Sequence, residues 1–323
     1  MNPVISVMVV TYNQEEYIAK TLDSILEQEC SFPFEIVIGE DCSTDNTRAI
    51  CESYASLYPD IIRLIKNETN KGVLKNYVDT LLSCRGECIA DLAGDDYWID
   101  KKKLECQANF LLSKDNCVAC FTNYQKLFEE NGQLSSPVNT SGEPYSLSAS
   151  DIPKHMGCMG DPLIFTCTAM FRKSAFESFY NSYPSFFEDD KYTCEDFQLV
   201  FALLYQGEVL YDPAVTTVYR IGKSSVTNNR SLTRKKDFAI GLIHLRLDLI
   251  NQFHLPVATA SSFFDYRLKE IYSLSIKLNN TKGLDPIRRK LEAEGYSPDL
   301  TIRAYSLISK NKILSMLFQI FKK

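Results

Sequence analysis

The sequence predicts an α/β protein: a mostly parallel, Rossmann-like sheet with flanking helices, followed by a helical C-terminal region. Three observations carry this. Strand-like and helix-like stretches alternate four times between Val4 and Ser113, which calls for a parallel sheet with right-handed crossovers. Val4–Val10 is a nearly unbroken apolar run, the pattern of a strand buried on both faces. From Leu232 onward the text is helical.

Each element has its own signal. After the first strand, Tyr17, Ile18, Leu22, Ile25 and Leu26 recur at helical spacing between Glu15 and Gln28. Glu35–Gly39 is the second strand. Ser43-Thr44-Asp45-Asn46 is rich in helix-capping residues, and a helix with Ile50, Tyr54 and Leu57 follows. Ile61–Lys66 is the third strand, Gly72 opens a helix to about Cys84, and Glu87–Leu92 is the fourth strand. Asp100 caps a helix reaching about Ser113. Val118–Phe128 then reads as a strand, and Asn131–Ser150, rich in Ser, Gly, Pro and Asn, as an exposed loop. Phe165–Arg172 is a strand, Cys194–Gln206 a helix, and Glu208–Tyr211 and Thr216–Tyr219 two short strands. Long helices are expected over Lys235–Phe253 and Ser262–Lys277. The expected division is a domain at 1–229, with halves at 1–115 and 116–229, and a helical region at 230–323.

The chain has 323 residues, 45% hydrophobic and 24% charged, enough for a large core. No apolar run reaches the roughly 18 residues that span a bilayer. The first residues lack a basic n-region and a small-residue cleavage site, so a cytoplasmic chain is expected. Eleven cysteines follow no regular framework, and Cys117-x-x-Cys120 sits in a strand-like run with no second pair at zinc spacing. Free, largely buried thiols are expected. His155, His244 and His254 form no cluster. The net charge of −6 hides an asymmetry: from Arg230 onward there are 17 Lys and Arg against 8 Asp and Glu, and the remainder is strongly acidic. An acidic front fits a cation site. A basic rear fits an anionic membrane surface, and equally a solvated helix face. Nothing in the pattern calls for nucleic acid.

Chemistry-bearing residues gather where strands end. In an open α/β sheet that edge is the ligand crevice. Thr11-Tyr12-Asn13 follows the first strand, where backbone groups can hold a base or ribose, and Glu15 can accept from hydroxyls. Asp41 follows the second strand, where a carboxylate can take the N–H of a pyrimidine ring. Asp45 reads as a helix-start carboxylate. Asp95-Asp96-Tyr97-Trp98 is the strongest local signal. Adjacent carboxylates after a buried strand repel, and a cation offsets that cost. Mg²⁺ and Mn²⁺ favour carboxylate and phosphate oxygens. Trp98 reads as packing. Glu195-Asp196 opens a helix, where a carboxylate can take a proton from an acceptor hydroxyl or simply cap the helix.

Taken together, Val7–Asn13, Glu35–Thr47, Asn70–Asn76, Gly86–Trp98 and Cys194–Leu199 resemble the family 2 inverting glycosyltransferases of the GT-A fold, over roughly residues 4–225. The resemblance implies that the first strand end and Asp41 hold uridine and that Lys75 is the basic residue near the nucleotide. It makes Asp95 the last aspartate of an Asp-x-Asp metal motif and Asp196 the general base. Two departures stand out. The first aspartate of that motif is Ala93 here, so ligation of Mn²⁺ or Mg²⁺ rests on Asp95 with Asp96 nearby; Asp91, inside the strand, should point elsewhere. The family's histidine after Tyr219-Arg220-Ile221 is replaced by Gly222-Lys223, with Lys223 the expected source of charge for the diphosphate.

The expected function is transfer of a sugar from a nucleotide diphosphate sugar, a UDP-sugar first, to an acceptor hydroxyl with inversion. Asp196 is the expected base and Glu195 the next candidate. The implied acceptor is a cell-surface glycan or its lipid-linked form, reached from the inner face of the membrane. The rival reading is a non-catalytic sugar-nucleotide-binding or scaffold subunit, favoured by Ala93 and Gly222 and opposed by Glu195-Asp196.

Overall fold

The structure, a computed structural model, describes residues 3–159, 162–222, 231–281, 284–311 and 314. The first strands and helices follow the expected alternation: β1 (Ile5–Thr11), α1 (Ile18–Leu26), β2 (Phe34–Glu40), α2 (Thr47–Leu57), β3 (Ile62–Lys66), α3 (Val73–Ser83) and β4 (Cys88–Ala93). A two-residue β5 (Tyr97–Trp98) precedes α4 (Lys103–Leu112). The rest of the sheet comes from β6 (Cys117–Phe128), β7 (Gln133–Leu134), β8 (Tyr145–Leu147), β9 (Ala169–Arg172) and β10 (Glu208–Ile221). Helices α5 (Ile152–Met156), α6 (Lys173–Ser182), α7 (Ser185–Glu188) and α8 (Asp196–Gln206) lie between these strands in sequence. Four more follow: α9 (Leu232–Phe253), α10 (Ser261–Lys277), α11 (Leu284–Ala293) and α12 (Leu300–Lys310).

Among the described residues the sheet has ten strands, in the order β3-β2-β1-β4-β9-β6-β10-β5, with β7 on β6 and β8 on β10. Strands β3, β2, β1 and β4 run parallel, and β9 runs antiparallel to both β4 and β6. Val7 faces Ile36 on one side and Ala90 on the other. Strand β1 is buried nearly throughout because both faces carry helices. Ile5, Val7 and Val9 join Ile18, Leu22 and Ile25 of α1 and Ile36 and Ile38 of β2 in one core. At the far end of these strands, Ser6 Oγ donates to Glu35 Oε1 at 2.7 Å, and Arg85 Nε and NH2 donate to Oε2 at 2.9 and 2.6 Å. Burial pushes the Glu35 carboxyl up, but these bonds outweigh it and hold it below its usual range.

Three expectations are corrected. The two short strands at 208–211 and 216–219 are one 14-residue strand, β10, because irregular register between Asp212 and Thr217 absorbs Pro213 without ending the pairing. Only the end of the expected Phe165–Arg172 strand is extended: Thr166–Thr168 form a 3₁₀ turn, and the Thr168 hydroxyl donates to the Phe165 carbonyl at 2.7 Å. The expected loop at 131–150 supplies β7 and β8. None of the eleven cysteines is in a disulfide, and six of them are buried.

The chain divides into two compact units. The first is Met1–Ile152, Ile164–Asp189 and Cys194–Gly222 and holds the sheet; the second is Pro153–Leu163, Asp190–Thr193 and Lys223–Lys323. In the second, α10 packs on α9 and on α12. Asp248 on α9 accepts from the Tyr192 hydroxyl at 2.9 Å and pairs with Lys191 at 3.0 Å. Buried Arg246 donates to the Met156 carbonyl at 3.1 Å with its guanidinium 3.5 Å over the Phe263 ring. These contacts tie the two short segments to the helices. Among the described residues no helix is long and apolar enough to cross a membrane.

Candidate functional site

Parallel register sets the ends of β1, β2 and β4 side by side. The Asp41 amide donates to the Thr11 carbonyl at 3.1 Å, and the Gly94 amide to the Val10 carbonyl at 3.0 Å. The loops leaving these strands are pinned to one another. Asn13 takes φ 52°, a left-handed turn that asparagine tolerates. Its Oδ1 accepts from the Thr44 amide at 2.8 Å, and its own amide donates to Ser43 Oγ at 3.0 Å. Glu15 Oε2 accepts from the Asn46 amide at 2.8 Å, and the Glu15 amide donates to Asp45 Oδ2 at 3.1 Å. Asp45 Oδ1 accepts from the Thr47 amide at 2.9 Å, at the start of α2. Burial raises the Asp45 carboxyl, but the bonds from Thr47 and Glu15 prevail and hold it low. Asn13, Glu15 and Asp45 thus clamp the first two loops together. Thr11 is buried, and Tyr12 stands 44% exposed at the mouth.

Asp41 is buried and anchors the loop before α3. Its Oδ1 accepts from the Lys71 amide at 2.8 Å and from Asn67 Nδ2 at 2.9 Å, and its Oδ2 from the Gly72 amide at 3.0 Å. Gly72 takes φ 85°, which lets the chain present that amide and turn into α3. Lys75 is exposed on the first turn of α3.

The acid pair follows β4. Asp96 is 2% exposed, and its Oδ1 accepts from the Arg220 amide at 2.8 Å. Burial, then the neighbouring Asp95 charge, pushes its carboxyl well above the usual range. Asp95 is half-buried, and burial raises it too, with Arg220 and the Gln14 side chain opposing and Glu129 adding to the shift. Two adjacent carboxyls held at this cost suit a divalent cation that keeps other positions for phosphate and water. Among the described residues no three His, Cys, Asp or Glu side chains form a metal-binding group, so phosphate and water oxygens would have to complete the shell. Trp98 is packed, with Nε1 donating to the Cys167 carbonyl at 3.3 Å.

The third acidic group is at the start of α8. Asp196 Oδ1 accepts from the Phe197 amide at 2.7 Å. Glu195 makes no side-chain cap bond, and burial, then the Asp196 and Asp91 charges, pushes it to about 8. Asp91, expected to point away from the cation, is buried inside β4. It accepts from the Tyr77 hydroxyl at 2.8 Å, and burial, opposed by Tyr77 and reinforced by the Asp196 charge, pushes it to about 7. The Tyr219 hydroxyl, raised mainly by burial, feels Asp96, Asp95 and Asp196 together.

Sequence reasoning missed Arg220. Its Nε donates to the Asp95 carbonyl at 2.9 Å, its NH1 lies 3.6 Å from Glu129 Oε1, and its guanidinium lies 4.5 Å from the Tyr17 ring centre. Only its place beside the expected histidine position could have flagged it. A Cβ at Gly222 would sit 2.6 Å from Glu129 Oε2, the far end of a flexible side chain that can swing aside. Lys223 lies outside the described residues.

Known proteins resemble this chain. The chain is 40% identical over 130 residues to an uncharacterized protein of Mycobacterium tuberculosis (strain ATCC 25618 / H37Rv), a stretch covering 40% of this chain and 38% of that one. It is 33% identical over 160 residues to the putative teichuronic acid biosynthesis glycosyltransferase TuaG of Bacillus subtilis (strain 168), 49% of this chain and 60% of that one. The matched stretches thus span well under two thirds of both relatives. A crystal structure of S. aureus TarS 1-349 in complex with UDP-GlcNAc superposes with a TM-score of 0.63 at 19% identity, covering 93% of this chain and 83% of that one, and shows the GT-A fold. The model of the family "Glycosyl transferase family 2" matches residues 6–179, more than half of the chain, and the chain belongs to that family.

Proposed function

We propose that the protein transfers a sugar from a UDP-sugar to an acceptor hydroxyl with inversion at the anomeric carbon. The observation that carries this is the Asp95-Asp96 pair where β4 ends, beside the ends of β1 and β2, together with Glu195-Asp196 opening α8. An in-line displacement needs a base for the acceptor and a cation for the diphosphate, and these two acidic groups offer the residue types for both. The loop of Thr11, Tyr12 and Asn13, with Asp41 and Lys75, holds the nucleotide, and Glu15 and Asp45 keep that loop in place. Asp196 takes the proton of the acceptor hydroxyl as its oxygen attacks the anomeric carbon, and the diphosphate leaves from the opposite face. Glu195, its carboxyl raised by burial and by the Asp196 and Asp91 charges, enters as a neighbour of the base. Mn²⁺ or Mg²⁺, held by Asp95 and Asp96, would neutralise charge on the leaving diphosphate. The TarS complex with UDP-GlcNAc and the naming of TuaG support a UDP-sugar donor and a cell-surface glycan acceptor.

The non-catalytic reading keeps Ala93 and Gly222 in its favour. A panel of nucleotide sugars with Mn²⁺ separates the two. A transferase slowly hydrolyses one of them, and Asp196→Asn abolishes that hydrolysis. A scaffold subunit binds without releasing sugar.

The reading extends to docking on the inner face of the membrane through the basic C-terminal region. Leu300 and Leu307 of α12 are 81% and 68% exposed and seven residues apart, on one face. The expected tail, Ile313–Lys323, lies outside the described residues except for Leu314. Each basic residue near an anionic surface contributes about 1 kcal/mol, screened by salt. Full-length protein should float with anionic liposomes in low salt, and a version ending near Ser309 should float less. Equal, salt-insensitive flotation of both, or of neither, would remove the membrane from the account.

A further inference from the structure

Gln14 stands where three strand-end loops meet. It follows β1 and leads into α1: its carbonyl accepts from the Tyr17 and Ile18 amides, each at 3.0 Å. Its own amide donates to Thr47 Oγ1 at 2.7 Å, at the start of α2. Its side chain turns to the acid pair. Oε1 accepts from Thr11 Oγ1 at 2.8 Å. A Cβ at Gly94 would fall 2.5 Å from that oxygen and 2.7 Å from Thr11 Oγ1, so glycine leaves the room in which both groups lie against the turn before Asp95. With Oε1 engaged, Nε2 is the end that donates to a carboxylate. Burial raises the Asp95 carboxyl, and a hydrogen bond from the Gln14 side chain is among the contacts that draw it back down. The main chain of the turn has separate holders. The Thr21 hydroxyl lies 2.9 Å from the Gly94 carbonyl and 2.7 Å from the Asp96 carbonyl, and the Trp98 amide donates to Ser24 Oγ at 3.1 Å. Gln14 thus bears on the Asp95 carboxyl rather than on the course of the backbone.

We infer that Gln14 is a positioning residue: its amide, held by Thr11 Oγ1 at the end of β1, aims the Asp95 carboxyl at the cation of the donor diphosphate. This rests on the UDP-sugar reading above. A carboxylate fixed beforehand need not be ordered when the cation arrives, and groups that orient a ligand in this way raise its affinity for the metal. Cation binding is thereby tied to an uncharged side chain of the nucleotide loop.

Calorimetric titration of the full chain tests it, with UDP and uridine as probes, each in Mn²⁺ and in EDTA. Gln14→Met keeps the length of the side chain and the main-chain bonds to Tyr17, Ile18 and Thr47, and removes the amide. It should weaken UDP in Mn²⁺ roughly 10-fold, the scale on which a lost orienting partner lowers metal affinity. Uridine, and UDP in EDTA, should bind as they do to wild type. In Asp95→Ala, where the carboxyl is gone, adding Gln14→Met should weaken UDP no further. The inference is overturned if Gln14→Met binds UDP in Mn²⁺ as wild type does, or if uridine and UDP in EDTA fall alongside. It is also overturned if the double variant is weaker in Mn²⁺ than Asp95→Ala alone. Wild type that binds UDP equally in Mn²⁺ and in EDTA overturns it too, and leaves the UDP-sugar reading standing. Wild type that binds neither probe would sink that reading itself, and the inference with it.

Discussion

Asp196→Asn is expected to leave nucleotide-sugar affinity within a few-fold and to cut turnover by roughly 10²–10⁴. The amide keeps the size of the side chain and can still accept from the Phe197 amide, as Oδ1 does at 2.7 Å in the wild type. What it loses is the ability to take a proton. The nucleotide loops are clamped by Asn13, Glu15, Asp41 and Asp45, none of which depends on α8. Binding and chemistry should therefore separate. Steady-state turnover with a saturating donor, alongside donor titration, reads both. Unchanged turnover would pass the role of base to Glu195, the neighbouring carboxyl at the start of α8.

Gly39→Ala is expected to be a strongly damaging change outside the acidic groups. Gly39 lies in β2, between Val10 and Ile65. A Cβ there would fall 1.9 Å from Thr80 Oγ1 and 3.1 Å from Asn76 Oδ1. Neither neighbour yields readily. The Thr80 hydroxyl donates to the Asn76 carbonyl at 2.6 Å, and Asn76 Nδ2 donates to the Gly39 carbonyl at 2.9 Å. Asn76 Oδ1 also accepts from Asn67, which in turn donates to Asp41. One methyl would push α3 from the sheet and loosen the loop that Asp41 anchors. Overpacking of this kind costs about 3 kcal/mol. Thermal unfolding should show a large drop in midpoint, and Thr80→Ala in the same chain should restore part of it, because the two sites share the clash. An unchanged midpoint would mean the helix shifts freely.

The sheet was legible because its first half is written in local signals. The apolar runs at Val4–Val10 and Glu87–Leu92 and the helical spacing from Tyr17 to Leu26 each say what they become. The second half was less legible. Pro213 looks like a strand end, and only pairing with β6 and β8 shows that the strand continues. Asp95, Asp96 and Asp196 were visible as acids at element ends. Asp91 was readable as a residue inside the strand, but nothing in the local sequence named Tyr77 as its partner. Arg220 was invisible because its partners, Asp95 and Glu129, lie 125 and 91 positions away in sequence, and no spacing rule reaches that far.

The central claim is that the strand-end acids form a donor site and that Asp95 carries its cation. Titration of UDP with and without Mn²⁺ into wild type, Asp95→Ala and Asp91→Asn tests it most directly. The asparagine keeps an acceptor for the Tyr77 hydroxyl, so the fold around β4 is preserved. The account predicts Mn²⁺-dependent binding in wild type and Asp91→Asn and its loss in Asp95→Ala. Equal Mn²⁺-dependent binding by wild type and Asp95→Ala would contradict it.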